Sequence, residues 1–197
     1  MRIAPLLLVS AVACSHSSAP AAPAAPAAPP AVQASPHLAP AMAKLGFMRG
    51  VWIGKASGTT PTGEHYEVTQ TERMGPMLGG DIVVIEGRGY KPDGTTGFNA
   101  FAVASWNPQT QKYELRSYAQ GYAGTFDLTL TADGYTWEVP AGRDAVMKFT
   151  ATVTGNHWRE VGEYVAAGQP PVKSFEMNLD RTGETDWPLG TPVTAKR

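Results

Sequence analysis

Cysteine is nearly missing from this sequence, and the single one present has no partner. With one Cys in 197 residues, no disulfide within the chain can staple the fold and no thiolate set can hold zinc. Histidine is also scarce, four in all. His37, His65 and His157 fall in the foldable part of the chain and are too scattered for a metal-ligand motif, so no metal is expected. An excess of either charge is missing too: 16 basic residues stand against 17 acidic, net charge −1. That balance gives no electrostatic reason to expect nucleic acid or an anionic membrane surface as a partner. A nucleophile elbow is absent: Ser57, Ser105, Ser117 and Ser174 do not sit in Gly-x-Ser-x-Gly, and no Ser/His/Asp order is legible. No catalytic residue, enzyme activity or cofactor is therefore expected. Nor are there helical patterns long enough to alternate with strands, which excludes a parallel α/β sheet.

What is present at the N-terminus reads as an address. Arg2 is followed by an apolar run over residues 3–12, too short to span a bilayer as a helix, and by small residues up to Ala13. Residues 1–13 are read as a signal peptide. The segment resembles a bacterial lipoprotein signal, in which small residues precede a cysteine that becomes the lipidated N-terminus. The resemblance implies lipidation at Cys14 and a place in the cell envelope, as an outer-membrane lipoprotein or a periplasmic protein. The plain alternative for Cys14 is an incidental residue in a discarded tail. Residues 14–36 form a linker whose Ala-Ala-Pro units remove backbone donors and fix φ, so neither helix nor sheet propagates.

From residue 37 the chain reads as a domain. Leu38, Met42, Leu45 and Met48 suit one helical face, and Pro40 suits a first turn, so a short helix over 40–45 is expected to lid the domain. After it the period becomes two. Strand-like runs occur at 51–57, 64–74, 81–90, 97–106, 112–120, 123–130, 135–139, 145–154, 157–166 and 172–181, separated by short turns such as Asp133-Gly134. Gly75-Pro76 is read as ending the second run. So many short connections make consecutive strands antiparallel neighbours. A sandwich needs longer crossovers, and an open meander leaves two unpaired edges. The expected fold is all-β, an up-and-down antiparallel barrel of about ten strands over residues 37–181, with residues 182–197 as a flexible tail.

The first strand carries Gly50-Val51-Trp52-Ile53-Gly54. Small residues around the indole let it turn inward and let another chain pack over it. This stretch resembles the Gly-x-Trp opening of the calycins: lipocalins, fatty-acid-binding proteins and nitrobindin-like barrels. The run Met77-Leu78-Gly79-Gly80-Asp81-Ile82 and the Trp106-Asn107-Pro108 turn are similar to a calycin-like family of bacteria whose members are often secreted. The resemblance implies that Trp52 plugs the closed end and that a late basic residue, here Arg181, covers it by cation–π attraction. Nitrobindin-like barrels bind haem through a His on a late strand. Residues 175–181 contain no His, so haem is the least favoured reading.

Charges and aromatics within the alternating runs mark candidate lumen residues. Glu160 shares a face with Trp158, and Glu72 shares one with Tyr66. Arg88 and Arg116 are candidate partners for those carboxylates, because a buried charge needs one. Tyr66, Glu72, Arg88, Trp106, Arg116, Trp158 and Glu160 are the expected ligand-binding set. The bland alternative is an internal polar network, since register decides which face is inward. The functional expectation is binding of a small apolar or amphipathic ligand in the lumen, with membrane contact through the lipid anchor only. The alternative is a structural or interaction protein of the envelope with a filled barrel.

Overall fold

The computed structural model describes residues 33–60, 62–185 and 187. Helix α1 spans Ala39–Ala43 and a 3-10 turn follows at Gly46–Met48. Ten strands complete the fold: β1 Gly50–Thr59, β2 His65–Met77, β3 Ile82–Tyr90, β4 Thr96–Asn107, β5 Lys112–Ala119, β6 Tyr122–Leu130, β7 Gly134–Pro140, β8 Ala145–Thr154, β9 His157–Ala166 and β10 Val172–Gly183. Each strand pairs antiparallel with its chain neighbours, and β1 pairs with β10 to close the barrel. Closure removes both edges of the meander.

Local chemistry explains the neighbour pairing. Asn107 Oδ1 accepts the backbone N–H groups of Gln109 and Thr110 at 3.0 and 3.2 Å, folding the β4–β5 turn onto one side chain. Asp93 does the same for Thr95 at 2.9 Å before β4. Such tight turns leave the following strand only the adjacent position. Pro76 does not end β2, contrary to the sequence expectation. β1 stops at Gly50 opposite Met74, so residues 75–77 pair with β3 alone. A proline is tolerated where one side of a strand has no neighbour.

The β6–β7 seam is the exception in the wall. It pairs only Leu128, Thr129 and Leu130 with Trp137, Thr136 and Tyr135. Beyond Leu128 and Trp137, toward the end away from α1, the ladder has no further pairs.

The end beneath α1 is closed. Trp52 is fully buried, and its indole N–H donates to the Met48 carbonyl at 3.1 Å. Met42, Leu45 and Met48 pack into the same cluster, and the Trp158 ring meets Trp52 edge-on at 5.8 Å. Gly50 has φ +138, a region that favours glycine, and a Cβ there would lie 2.6 Å from Arg181 Nε. At Gly54 a Cβ would lie 2.0 Å from the Asn178 carbonyl oxygen, so β10 approaches only because this residue has no side chain.

Arg181 is the β10 partner of Trp52, as the resemblance implied, but it acts differently. Its Nε and Nη2 donate to the Arg49 carbonyl at 3.2 and 3.0 Å, tying the entry of β1 to β10. The cation–π pair in the described residues is Arg73 over Trp187, at 4.6 Å. A guanidinium that can satisfy a backbone carbonyl gains more there than over an already packed indole.

Two expected boundaries also move. Ser35, read as linker, donates its backbone N–H and its hydroxyl to Asp81 at 2.6 and 2.7 Å. Residues read as tail from Thr182 continue β10 to Gly183. Trp187 then donates its indole N–H to the Arg73 carbonyl at 3.3 Å and meets Phe101 edge-on. The signal peptide, Cys14 and residues 188–197 lie outside the described residues.

Truncating the plug, Trp52→Ala, is expected to lower stability by about 3–5 kcal/mol, as large core truncations do. Chemical denaturation reads this directly. An unchanged midpoint would show that the indole closes nothing.

Candidate functional site

The lumen is stratified, and alternation along each strand sets the layers. Directly above the plug lies a polar layer. Glu72 is the β2 partner of Trp52 and is 9% exposed; Glu160 projects from β9 and is 7% exposed; Gln70 is 4% exposed. Gln70 Nε2 donates to Glu72 Oε1 at 2.7 Å. Tyr135 donates its hydroxyl to Glu160 Oε2 at 3.1 Å, and Trp137 its indole N–H to Oε1 at 3.3 Å. Among the described residues, Glu72 Oε2 has no hydrogen-bond partner. Trp158 is buried with an indole N–H that has no acceptor.

Above this layer sits an aromatic wall. Trp137 and Phe149 stack at 4.4 Å, Phe126 lies 5.6 Å from Trp137, and Phe175 lies 6.1 Å from Phe149. All four rings face inward, yet all four remain partly exposed. They come from β6, β7, β8 and β10. The opposite wall is small: Gly54 and Ala56 on β1, Gly87 and Gly89 on β3, and Ala100, Ala102 and Ala104 on β4 face inward.

Glycines on the wall also set how the large side chains lie. A Cβ at Gly87 would fall 2.6 Å from Glu72 Oε1, and one at Gly89 3.1 Å from Gln70 Oε1. A Cβ at Gly124 would fall 2.4 Å from the Phe126 ring, and one at Gly162 2.8 Å from Phe149. These side chains therefore lie against the wall, in the space a side chain would take.

Burial governs the ionisation here. Removal from water pushes Glu72 up to about 8, opposed by the Gln70 hydrogen bond and reinforced by the charges of Glu160 and Glu86. Burial also raises Glu160, against the hydrogen bonds from Trp137 and Tyr135. Tyr135 is held protonated by burial and by the adjacent Glu160 charge, so it remains a donor.

Of the expected ligand set, Glu72 and Glu160 meet in the lumen. The arginines do not. Arg88 projects from the outer face of β3 and pairs with Glu86, and Arg116 pairs with Glu114 at 3.1 Å on the outer face of β5. Paired outside with carboxylates of their own strands, neither reaches the buried pair. Tyr66 stands at the open rim, its ring against Gly58. Trp106 lies at the opposite end and meets Tyr113 edge-on at 4.7 Å. Trp158 belongs to the floor. The histidines lie elsewhere: His65 and His157 are exposed on the outer wall, His157 beside Asp180 at 3.1 Å. Tyr135, Trp137, Phe149 and Phe175 were not among the expected binding residues.

An open cleft of about 1030 Å³ lies at the barrel end between α1 and the ends of β5–β7, lined by Lys44, Phe47, Trp106, Lys112 and Asp127. Some of its polar groups are already occupied. Lys112 pairs with Asp127 at 2.5 Å and the Tyr113 hydroxyl donates to the Ala41 carbonyl at 2.7 Å. The lumen, with carboxylates held out of water, is the stronger site.

Because Glu72 is raised from 4.5 to about 8 on folding, the folded chain holds a proton there that the unfolded chain releases. Its contribution to stability is present in full below the lower value and is lost as pH rises through the upper one. Stability is expected to fall by roughly 1 kcal/mol per pH unit across that window. Glu72→Gln should flatten the slope and stabilise the barrel at the alkaline end. Denaturant midpoints against pH test this; identical slopes in both proteins would contradict it.

No protein-family profile matches this sequence, and no curated protein sequence does. By fold, the chain is similar to the crystal structure of Rv2717c from M. tuberculosis. The TM-score is 0.56 at 17% identity, covering 73% of this chain and 98% of that one. The likeness supports the barrel fold.

Proposed function

We propose that this protein binds a small apolar or amphipathic molecule in the barrel lumen, without turning it over. The observation that carries this reading is the composition of the lining. Phe126, Trp137, Phe149 and Phe175 line one side, partly exposed, with the Phe126 and Phe149 rings against Gly124 and Gly162, and glycine and alanine line the other. Pockets for small molecules combine such apolar walls with a few placed polar groups. Here Glu72, Glu160 and Tyr135 supply the polar groups. The split between β6 and β7 lies beside Phe126 and Trp137, which favours entry there and at the rim.

One observation favours a second reading, a surface partner. Tyr118 and Tyr122 are 56% and 82% exposed beside Phe101 on the outer wall. Exposed aromatic patches mark interaction surfaces. This surface is distinct from the lumen, so the two roles are compatible.

N-phenylnaphthylamine, a neutral fluorophore, is expected to bind with enhanced emission. Phe149→Ala should weaken it about tenfold by removing the central ring of the wall. Absence of binding to the folded wild-type protein would overturn the lumen reading.

We further propose the envelope anchor at Cys14. Expressed in a bacterial host, the full chain should incorporate labelled palmitate, and Cys14→Ser should remove the label and release the protein from membranes. Equal labelling of both would refute the anchor.

A further inference from the structure

We propose that the lumen ligand is an organic cation, an amine with an apolar or aromatic body, whose charged group sits between Glu72 and Glu160. The inference rests on the lumen-binding reading and names the chemistry that the lumen selects.

Buried carboxylates are ordinarily paired with a cation, because leaving water without one is strongly unfavourable. Here the described groups within reach of them are neutral: the amide of Gln70, the hydroxyl of Tyr135 and the indole N–H of Trp137. Of the described lysines and arginines, the one on the inward face of a strand is Arg181, and it is committed at the plugged end to the Arg49 carbonyl. Arg73 and Arg88 bond Glu86 on the outer side of the wall. The lumen thus presents two acidic groups and no counter-ion of its own.

Two further features fit a cation and not an anion. Among the described residues, Glu72 Oε2 has no hydrogen-bond partner, although the residue is only 9% exposed. Once the carboxyl gives up its proton, that oxygen can accept from an incoming ammonium. The aromatic wall begins at Glu160, which accepts from the Trp137 indole, and an ammonium is drawn to the faces of Trp and Phe rings. An anionic ligand such as a fatty acid would instead meet two acids and no cation, an arrangement that selects against it.

Binding a cation also moves a proton, and the balance can be written. In the empty barrel at neutral pH the Glu72 carboxyl holds its proton. When the ammonium arrives with all its own protons, the carboxyl releases its proton to solvent and the ion pair forms. No other bond is made or broken. Up to one proton leaves per ligand bound.

Phenethylamine, phenethyl alcohol and phenylacetate share one body and differ in charge. Titration calorimetry of the full barrel at neutral pH, in two buffers of different ionisation enthalpy, separates them. The amine is expected to bind about tenfold tighter than the alcohol, with proton release, and phenylacetate weakest. The double variant Glu72→Gln, Glu160→Gln keeps the shape of both side chains. It should bring the amine down to the affinity that the same variant shows for the alcohol and abolish the proton release. If the alcohol or phenylacetate binds as tightly as the amine, the cation assignment falls and the lumen reading stands. The same follows if the double variant holds the amine undiminished. If N-phenylnaphthylamine and all three compounds fail to bind the folded protein, both readings fall.

Discussion

Two carboxylates, Glu72 and Glu160, are held out of water in the middle of a barrel with no basic side chain bonded to either. Most of what is distinctive in this molecule follows from accommodating them. Neutral donors are brought to them from β2 and β7. Burial keeps Glu72 protonated up to about 8, so the site is an acid rather than a free charge when empty. A fold selected for stability alone would gain by replacing such groups with packed hydrophobes. Their place between an indole floor and an aromatic wall supports the proposal that the layer is a site.

The scaffold divides the labour between its two ends. Beneath α1 the barrel is solid: Trp52, Trp158, Leu179, Met74 and the lid residues are all buried. Gly50 and Gly54 let β10 and Arg181 close over that end. Toward the other end the lining thins to glycine and alanine on one side, rings recline on the other, and the β6–β7 ladder stops after three residue pairs. Rigidity at the floor fixes the carboxylates, and the loosened wall lies where a ligand would pass. The same residue type serves both ends in different ways. At the plug, glycine allows a strand to approach; at Gly87 and Gly162 it gives a large side chain somewhere to lie other than the lumen.

Much of this was legible in the residues. Strict alternation in β5, Tyr113, Leu115, Ser117 and Ala119 against Glu114 and Arg116, already places Arg116 outside. Arg88 was harder. Residues 82–85 are apolar without alternation, so β3 shows no face, and the inward positions further along are glycines. The plug was visible in the Gly50, Trp52, Gly54 spacing, but Arg181's choice of a backbone carbonyl was not, because it depends on where Arg49 turns. Trp137, Phe149 and Phe175 could be assigned to inward faces. Their meeting in one wall could not, since the depth of each ring is fixed by the stagger between strands rather than by its own strand. For the same reason Tyr66 and Trp106, each on an inward face, lie at opposite ends.

The central claim is that the lumen keeps a carboxyl group neutral and without a cation until a ligand arrives. Carbon-detected NMR titration of the glutamate carboxyls in the empty protein reads this at the atom concerned. The account predicts a Glu72 midpoint at about 8, moved to lower pH when an amine occupies the lumen. A Glu72 midpoint at the ordinary 4.5 would mean that the group is solvated, and would contradict it.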